Sequence, residues 1–216
     1  MKQRTSLLMI VFVLSALLTG CGREFDASGY VRACLDANTH GNFDEYTELT
    51  NITVEEAKKN YEDRLDQEIA YLDTYKADDE TKQKFRSLFE KMYNNFKYEV
   101  GDAVKNDDGS FTVPVTTYKL KAFGDITTDI TTFATDFYKE KAESGDTNVT
   151  EDEINKVVVD FMYDYISNNL EEPEYEEGVS ITVTVSPISG NKNMYTISTT
   201  NHQELLKSMV DIDKMS

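Results

Sequence analysis

Cysteine and histidine, two residue types with versatile side-chain chemistry, are scarce in this chain. It contains two cysteines, Cys21 and Cys34, and two histidines, His40 and His202. A thiol could act as a nucleophile or accept a covalent group, and a histidine could act as a base or bind a metal. Neither histidine lies in a His-Glu-x-x-His sequence or at another spacing typical of metal ligands. The sequence therefore predicts no catalytic residue, no metal site and no cofactor.

The remaining signatures of catalysis do not indicate an enzyme either. The chain has no Gly-x-Ser-x-Gly elbow and no glycine-rich phosphate loop. With 40 acidic residues, a carboxylate pair suited to glycoside hydrolysis is unavoidable and carries no information. Two acidic clusters, Asp107-Asp108 and the glutamates of 171–177, invite a calcium site, but neither follows the EF-hand pattern. We interpret the first as a turn and the second as a solvated charge run.

The sequence around Cys21 is specific. Two basic residues near the N-terminus precede an apolar run at 7–18, which is shorter than the roughly 20 residues that span a bilayer. This pattern is typical of a secretory signal. The residues at 18–21, Leu-Thr-Gly-Cys, resemble the lipobox of bacterial lipoproteins. The resemblance implies cleavage between Gly20 and Cys21 and attachment of a diacylglyceryl group, with fatty acids such as palmitate, to Cys21. An ordinary signal peptide with a chance cysteine and an uncleaved anchor are the alternatives.

This reading divides the chain into three parts. Residues 1–20 are the lipoprotein signal peptide, residues 21–25 are the lipidated cysteine and a short tether, and residues 26–216 are a single acidic α+β domain. Each buried CH₂ contributes about 0.8 kcal/mol, so that two or three acyl chains hold a protein on a bilayer. Five extended residues reach roughly 17 Å. We therefore expect a lipid-anchored protein close to the extracytoplasmic face of the cell membrane.

The charge of the chain excludes several classes of partner. The formal net charge is −18, and the leader holds two of the 22 basic residues and none of the 40 acidic ones, so that residues 21–216 carry 20 − 40 = −20. This balance excludes nucleic acid and attraction of the protein surface to an anionic bilayer. We interpret the negative charge as a source of solubility and of repulsion between tethered copies of the protein. Attraction to cations or to a basic partner is the alternative.

Helices are predicted from apolar periodicity and from capping residues. The clearest stripe has the spacing of one helical face and consists of Phe85, Leu88, Phe89, Met92 and Phe96. Cys34 lies on the apolar face of the first helix, which indicates a buried small residue, with a reactive thiol as the alternative. His40 falls at the end of that helix, where a positive charge is favoured. The predicted N-terminal caps and capping pairs are Asp26 or Ser28, Asn42 with Glu45, Thr53 with Glu56, Asp78, Thr150 with Glu153, and Asn201 with Glu204.

Two hairpins are predicted from alternating apolar residues. The first turns at 106–109, Asn-Asp-Asp-Gly, and its second strand contains Pro114, which indicates a strand at the edge of a sheet. The second runs from Val179 to Ile197. The predicted fold is therefore α+β, with an antiparallel sheet of about four strands packed by five to six helices.

The order of these elements is consistent with an internal repeat. Two helices and a hairpin occur within 54–120 and again within 125–199, which suggests a duplication or a coincidence of two common units. The order of helices and strands is compatible with a cystatin-like or cone-shaped α+β fold, as an analogy that rests on element order alone.

Three segments, 25–31, 35–38 and 97–101, resemble lipoprotein domains of low-GC Gram-positive bacteria, a family with no settled activity. The resemblance implies the location and the domain type, with Cys21 as the functional residue that carries over. We expect a non-catalytic module that binds a peptide, a cell-wall component or a partner protein. The alternatives are a bulk structural surface protein and a hydrolase with an unrecognised carboxylate site. The sequence makes no prediction of oligomeric state.

Overall fold

The computed structural model describes residues 16–17, 25–50, 52–146, 148–188 and 191–211. These residues form an antiparallel α+β fold, which confirms the predicted fold class. The helices are α1 (Ala27–Thr39), α2 (Asp44–Leu49), α3 (Val54–Ile69), α4 (Asp79–Asn94), α5 (Ile126–Glu143), α6 (Glu151–Asn169) and α7 (Thr199–Met209), and a 3-10 helix, Ala70–Tyr75, follows α3. The strands are β1 (Ala16–Leu17), β2 (Lys97–Val100), β3 (Val104–Lys105), β4 (Phe111–Tyr118), β5 (Val179–Ile188) and β6 (Asn191–Ile197).

The chain divides into two compact units, each assembled from separate stretches of sequence. The first unit consists of Met1–Arg64, Phe96–Tyr118 and Glu177–Met209. It contains the sheet, α1, α2, α7 and most of α3. The second unit consists of Leu65–Asn95, Lys119–Glu176 and Val210–Ser216, and it contains α4, α5, α6 and the 3-10 helix. Whether 54–120 and 125–199 arose by duplication stays a prediction.

The sheet of the first unit is built from the two predicted hairpins. Its strand order is β1-β6-β5-β4-β2, with β3 also paired to β4. The hairpins join where β4 pairs with β5, which places Phe111 opposite Val185 and Thr117 opposite Val179. Burial alternates along β4 because successive side chains point to opposite faces of a sheet. One face of the sheet is thereby buried, with Val113, Val115, Val183 and Val185 fully covered.

The prediction that Pro114 lies on an edge strand is wrong. β4 lies inside the sheet, between β5 and the strands β2 and β3. Pro114 is opposite Thr182 on β5, while its carbonyl on the other side accepts the N–H of Gly101 at 2.8 Å. Gly101 lies in the break between β2 and β3. A proline is accommodated in this inner strand because its missing N–H faces the interruption in the neighbouring strand.

The helices of the first unit start at the predicted caps in some cases and not in others. Asp26 caps α1, and Thr53 with Glu56 forms the predicted reciprocal pair at the start of α3. The capping pair of Asn42 and Glu45 is wrong, because α2 starts one residue later behind Phe43 and has no side-chain cap. The predicted capping pair of Asn201 and Glu204 is also wrong, because the Asn201 side chain hydrogen-bonds the neighbouring strand β5 instead.

Asn201 lies inside α7, and its side chain hydrogen-bonds strand β5. Its amide oxygen accepts the N–H of Thr184 at 3.0 Å, and its amide nitrogen donates to the carbonyl of Thr182 at 3.2 Å. Ser198 takes the capping role, since its hydroxyl accepts the N–H of Asn201 at 3.1 Å. The asparagine amide thus imitates a backbone group beside β5 and attaches α7 to the sheet.

The second unit is built from helices. The α4 stripe is buried as predicted, and Phe85 on α4 packs edge-on against Tyr163 of α6, with ring centroids 5.6 Å apart. Phe133 of α5 stacks on Phe161 of α6 at 4.5 Å. Asp78 caps α4, and Thr150 with Glu153 forms the predicted capping box of α6. Capping residues and aromatic contacts together fix the three helices α4, α5 and α6.

Candidate functional site

The predicted cleavage and lipid-attachment residues, Gly20 and Cys21, lie outside the described residues. The structure nevertheless describes the chain on both sides of them. On one side, the strand residues Ala16 and Leu17 pair with Tyr195 and Met194 of β6. On the other side, Phe25 is the first residue described after the gap. Both flanking segments therefore contact Tyr195 of β6, one by strand pairing and the other by ring stacking.

Phe25 is held in an aromatic cluster of the first unit. Its ring is 9% exposed and stacks on Tyr195 with centroids 4.0 Å apart and planes inclined by 5°. Phe111 contacts the same ring edge-on at 5.7 Å, and Tyr30 lies at 5.6 Å. The hydroxyl of Tyr30 donates to the carbonyl of Tyr195 at 3.3 Å. Packing of this kind adds about 0.5–1.5 kcal/mol per pair beyond burial, so that the start of the folded chain is fixed to the sheet.

The first helix begins directly behind this cluster. Asp26 is its N-cap, and its carboxylate accepts the N–H of Gly29 at 2.8 Å. Ser28 in the first turn donates to the carbonyl of Gly101 at 2.8 Å. These bonds leave no slack between Phe25 and α1. Phe25 is therefore fixed both to α1 and to the sheet.

A group of titratable side chains in the first unit joins the end of α1 to β2. The Tyr98 hydroxyl donates to the Asp36 carboxylate. His40 stacks on Tyr98, and its Nδ1 lies 3.2 Å from the Tyr98 hydroxyl and 3.7 Å from Asp36. Its Nε2 lies 3.3 Å from the carbonyl of Phe96. His40 is the C-cap of α1, which confirms its predicted position.

The protonation of this cluster does not suit nucleophilic or base catalysis by the tyrosine. Burial, and then the hydrogen bond to the Asp36 carboxylate, raise the pKa of Tyr98 above its ordinary value. The phenol therefore keeps its proton at neutral pH. It donates this proton in a hydrogen bond to the Asp36 carboxylate, the group that could otherwise serve as a base. The cluster fastens the end of α1 to β2 through hydrogen bonds and stacking.

His202 lies in a second polar group of the first unit, beside Arg64. Arg64 donates to the side-chain oxygen and the backbone carbonyl of Asn38, and its guanidinium lies 5.3 Å above the ring of Tyr61. Burial, and then the Arg64 charge, lower the pKa of His202 to about 4. The imidazole is therefore neutral at physiological pH, and its side chain on α7 is half-buried.

Cys34 is a buried residue of α1, as predicted. Its side chain is 3% exposed. Burial raises the pKa of the thiol, and the hydrogen bond with Tyr30 opposes this shift only in part. Because the thiolate is the reactive form, this residue is protected from thiol chemistry in the folded protein.

The two acidic clusters have the predicted explanations. The Asp108 carboxylate accepts the N–H and the hydroxyl of Ser110, at 2.9 and 2.6 Å, which is turn chemistry and lowers its pKa. In the second cluster Glu174 pairs with Lys121 at 3.4 Å, and the glutamates are exposed. In the part of the chain that the structure describes, no group of His, Cys, Asp and Glu side chains could hold a metal ion.

The structure adds one polar site that the sequence analysis missed. In the second unit, the Asp211 carboxylate accepts the N–H groups of three consecutive residues, Ala122, Phe123 and Gly124. Asp211 is 9% exposed, and its neighbour Val210 bridges Leu120. No local pattern could have revealed this pairing, because the acid and its donors are far apart in sequence.

Comparison with known proteins leaves the sequence without an assigned family. No family model matches the chain. No curated protein matches it either. One solved structure has the same fold: it is described as "a putative lipoprotein (ycdA)" from Bacillus subtilis, aligned with a TM-score of 0.57 over 86% of this chain and 56% of that one.

The sequence identity to this structure is 11%, so that the likeness concerns the fold. The chain spans little more than half the length of that protein. Among the described residues, no helix combines the length and apolarity required to cross a bilayer.

Proposed function

We propose that this protein is an extracytoplasmic lipoprotein, cleaved between Gly20 and Cys21 and anchored to the cell membrane by acyl chains on Cys21. The observation that carries the proposal is the Leu-Thr-Gly-Cys sequence at 18–21, placed directly behind an apolar run with a basic start. The lipoprotein name of the structural neighbour supports it.

The two cysteines offer a matched test of the anchor. Wild-type protein and the variants Cys21→Ala and Cys34→Ala are expressed in a Gram-positive host, and membrane and soluble fractions are analysed by intact-mass spectrometry. We expect membrane-bound wild type and Cys34→Ala, with residues 1–20 removed and a diacylglyceryl mass added. Cys21→Ala should lack the lipid mass. An intact leader or an unmodified Cys21 in the wild type would refute the anchor.

We further propose that the folded part is a non-catalytic module that binds a peptide, a cell-wall component or a partner protein. Its support is the state of the reactive side chains described above. Tyr98 keeps its proton, the Cys34 thiol is buried, and His202 is neutral with a lowered pKa. None of these three groups has the protonation state or the pKa that nucleophilic or base catalysis at neutral pH requires.

This second proposal is tested by binding and by turnover. Purified lipoprotein is co-sedimented with isolated cell wall and compared with an unrelated lipoprotein of similar negative charge. Specific retention would support a wall-binding module. A panel of hydrolase substrates is measured in parallel with wild type and Asp36→Asn. Turnover that the substitution abolishes would favour the hydrolase alternative and contradict a non-catalytic role.

A further inference from the structure

The position of Cys21 relative to the first unit is limited on both sides. Leu17 is paired with Met194, and Phe25 is stacked on Tyr195, so that both described flanks of Cys21 lie against the same part of β6. Four steps of extended chain span at most roughly 14 Å. The chain length therefore limits the attachment point at Cys21 to this distance from Phe25. After cleavage, the Phe25 contact maintains the same limit.

Phe25 marks one end of the sheet. Phe111, which its ring contacts, is the first residue of β4, and Lys105 of β3 is paired with Phe111. Tyr195 is paired with Pro187, close to the turn between β5 and β6. We call this end, defined by Phe25, Phe111, Lys105 and Tyr195, the Phe25 end. The opposite end of the same strands carries Tyr118 and Val179.

We propose that the Phe25 end of the first unit faces the lipid bilayer, because the short segment between Cys21 and Phe25 holds this end, and not the opposite one, at the membrane surface. The inference rests on the proposed lipidation of Cys21 and specifies the surface that it directs towards the membrane. The partner surface is the headgroup layer of the bilayer in which the acyl chains are inserted.

Distances along β4 make the proposal specific. Val104 is opposite Thr112 near the Phe25 end, and Val179 is opposite Thr117 near the other end. Five residues of strand separate these positions by about 17 Å. This separation is comparable to the full extended length of the tether, so that the end attached to it is held closer to the bilayer than the other end.

Charge does not decide the orientation. Lys105 lies at the Phe25 end, but Asp102, Asp107 and Asp108 lie in the same segment and are exposed. Attraction to anionic lipid is therefore not the cause that we invoke. The orientation that we propose results from the length of the tether and from the fixed packing of Phe25.

Val104 and Val179 form a matched pair for the experiment, since they are exposed by 62% and 57% and both lie on strands of the same sheet. Each is replaced by cysteine in the full chain, and the lipidated protein is labelled with a thiol-reactive fluorophore. It is then reconstituted in phosphatidylcholine vesicles that contain a lipid with a nitroxide headgroup. The unsubstituted protein measures background labelling, which should be low because Cys34 is buried and Cys21 is acylated.

We expect the nitroxide lipid to quench the label of Val104→Cys about twofold more than that of Val179→Cys, as the difference of about 17 Å along β4 implies. Equal quenching, or stronger quenching at Val179→Cys, would overturn the orientation. Protein that does not bind vesicles at all would instead refute the lipid anchor. The two failures are therefore distinguishable.

A spacer tests the cause. Insertion of a flexible Gly-Ser segment of about ten residues between Glu24 and Phe25 raises the fully extended reach to about 48 Å, which exceeds the roughly 27 Å length of the eight-residue β4. We expect quenching at both positions to decrease and the difference between them to disappear. A difference that persists with the spacer would contradict the tether as the cause of the orientation.

Discussion

The Asp211 carboxylate accepts a hydrogen bond from the N–H of Gly124 at 2.9 Å, which holds the last described residue of the chain against the segment that leads into α5. Gly124 has a φ of +48°, and a Cβ at this position would lie 2.7 Å from the Tyr165 hydroxyl. Glycine is therefore favoured here by its left-handed backbone conformation, and a larger residue would also displace the Tyr165 hydroxyl. The geometry presents three N–H groups in succession to one carboxylate, an arrangement that suits an anion.

Asp211→Asn is expected to destabilise the protein by about 2–3 kcal/mol. The amide retains one acceptor oxygen but loses the charge that strengthens hydrogen bonds from three N–H groups, two of them buried. Urea unfolding followed by circular dichroism measures the change. The control is Asp136→Asn on the exposed face of α5, which should change stability by no more than about 0.5 kcal/mol. Equal stabilities of the two variants would show that the Asp211 contact contributes nothing.

Phe25→Ala is expected to cost about 2–4 kcal/mol, because it removes a ring that is 9% exposed and stacked on Tyr195. Thermal unfolding and near-ultraviolet circular dichroism measure the loss of stability and of aromatic packing. Tyr138→Ala is the matched control, since that ring is 48% exposed on α5, and it should have a much smaller effect.

A double-mutant cycle with Tyr195→Ala separates the stacking contribution from simple burial. We expect a coupling energy of about 0.5–1.5 kcal/mol between positions 25 and 195. Additive effects of the two substitutions would mean that the stacked geometry contributes little and that Phe25 is held by burial.

The sequence predicted the fold where the signal is local and periodic. The stripe of α4 from Phe85 to Met92 and the turn at 106–109 could be located because the pattern of a helix or hairpin is contained in neighbouring residues. The strand that contains Pro114 was assigned to an edge because a missing N–H is costly in a complete ladder. The sequence does not reveal that the neighbouring strand is interrupted at that position.

The candidate site was likewise predictable only where its signal is contained in neighbouring residues. Cys21 could be identified because the lipobox is a contiguous motif, and it stays a prediction. Phe25, in contrast, reads as part of the tether, since a single aromatic residue before a helix cap has no periodic partner. Its partners Tyr195 and Phe111 are distant in sequence, as are Asp211 and its donors. Contacts of this kind depend on tertiary structure and leave no local pattern.

The stability of the protein is expected to decrease above pH 10, in part because of Tyr98. An unfolded tyrosine has a pKa of about 10, whereas burial and the Asp36 carboxylate raise the pKa of Tyr98 in the folded state. The stabilisation is complete below the unfolded pKa and is lost as the pH rises, because the unfolded chain then releases a proton that the folded chain retains. Urea unfolding between pH 8 and 11 measures this slope.

Tyr98→Phe should have a shallower alkaline slope, and at pH 8 it should be less stable than wild type by about 1 kcal/mol, because Asp36 loses its donor. Tyr138→Phe is the matched control at an exposed ring and should reproduce the wild-type curve. An unchanged slope in Tyr98→Phe would contradict the raised pKa.

At acid pH the stability is expected to depend on His202. Burial and the Arg64 charge lower its pKa to about 4, below the ordinary histidine value of about 6.5. Between these values the unfolded chain binds a proton that the folded chain does not, so that stability is complete above about pH 6.5 and is lost as the pH falls towards 4. Carboxylates contribute to the same decline, which is why the variant must be compared with wild type.

His202→Gln removes this contribution, and its free energy of unfolding should decrease less between pH 6.5 and 4 than that of wild type. His40→Gln is the matched control, because it removes the other histidine and leaves His202 beside Arg64. NMR titration of the imidazole carbon-bound protons provides a direct reading. The resonance that is present in wild type and absent in His202→Gln should titrate near pH 4. A midpoint near 6.5 would show that the folded protein does not lower the pKa of His202.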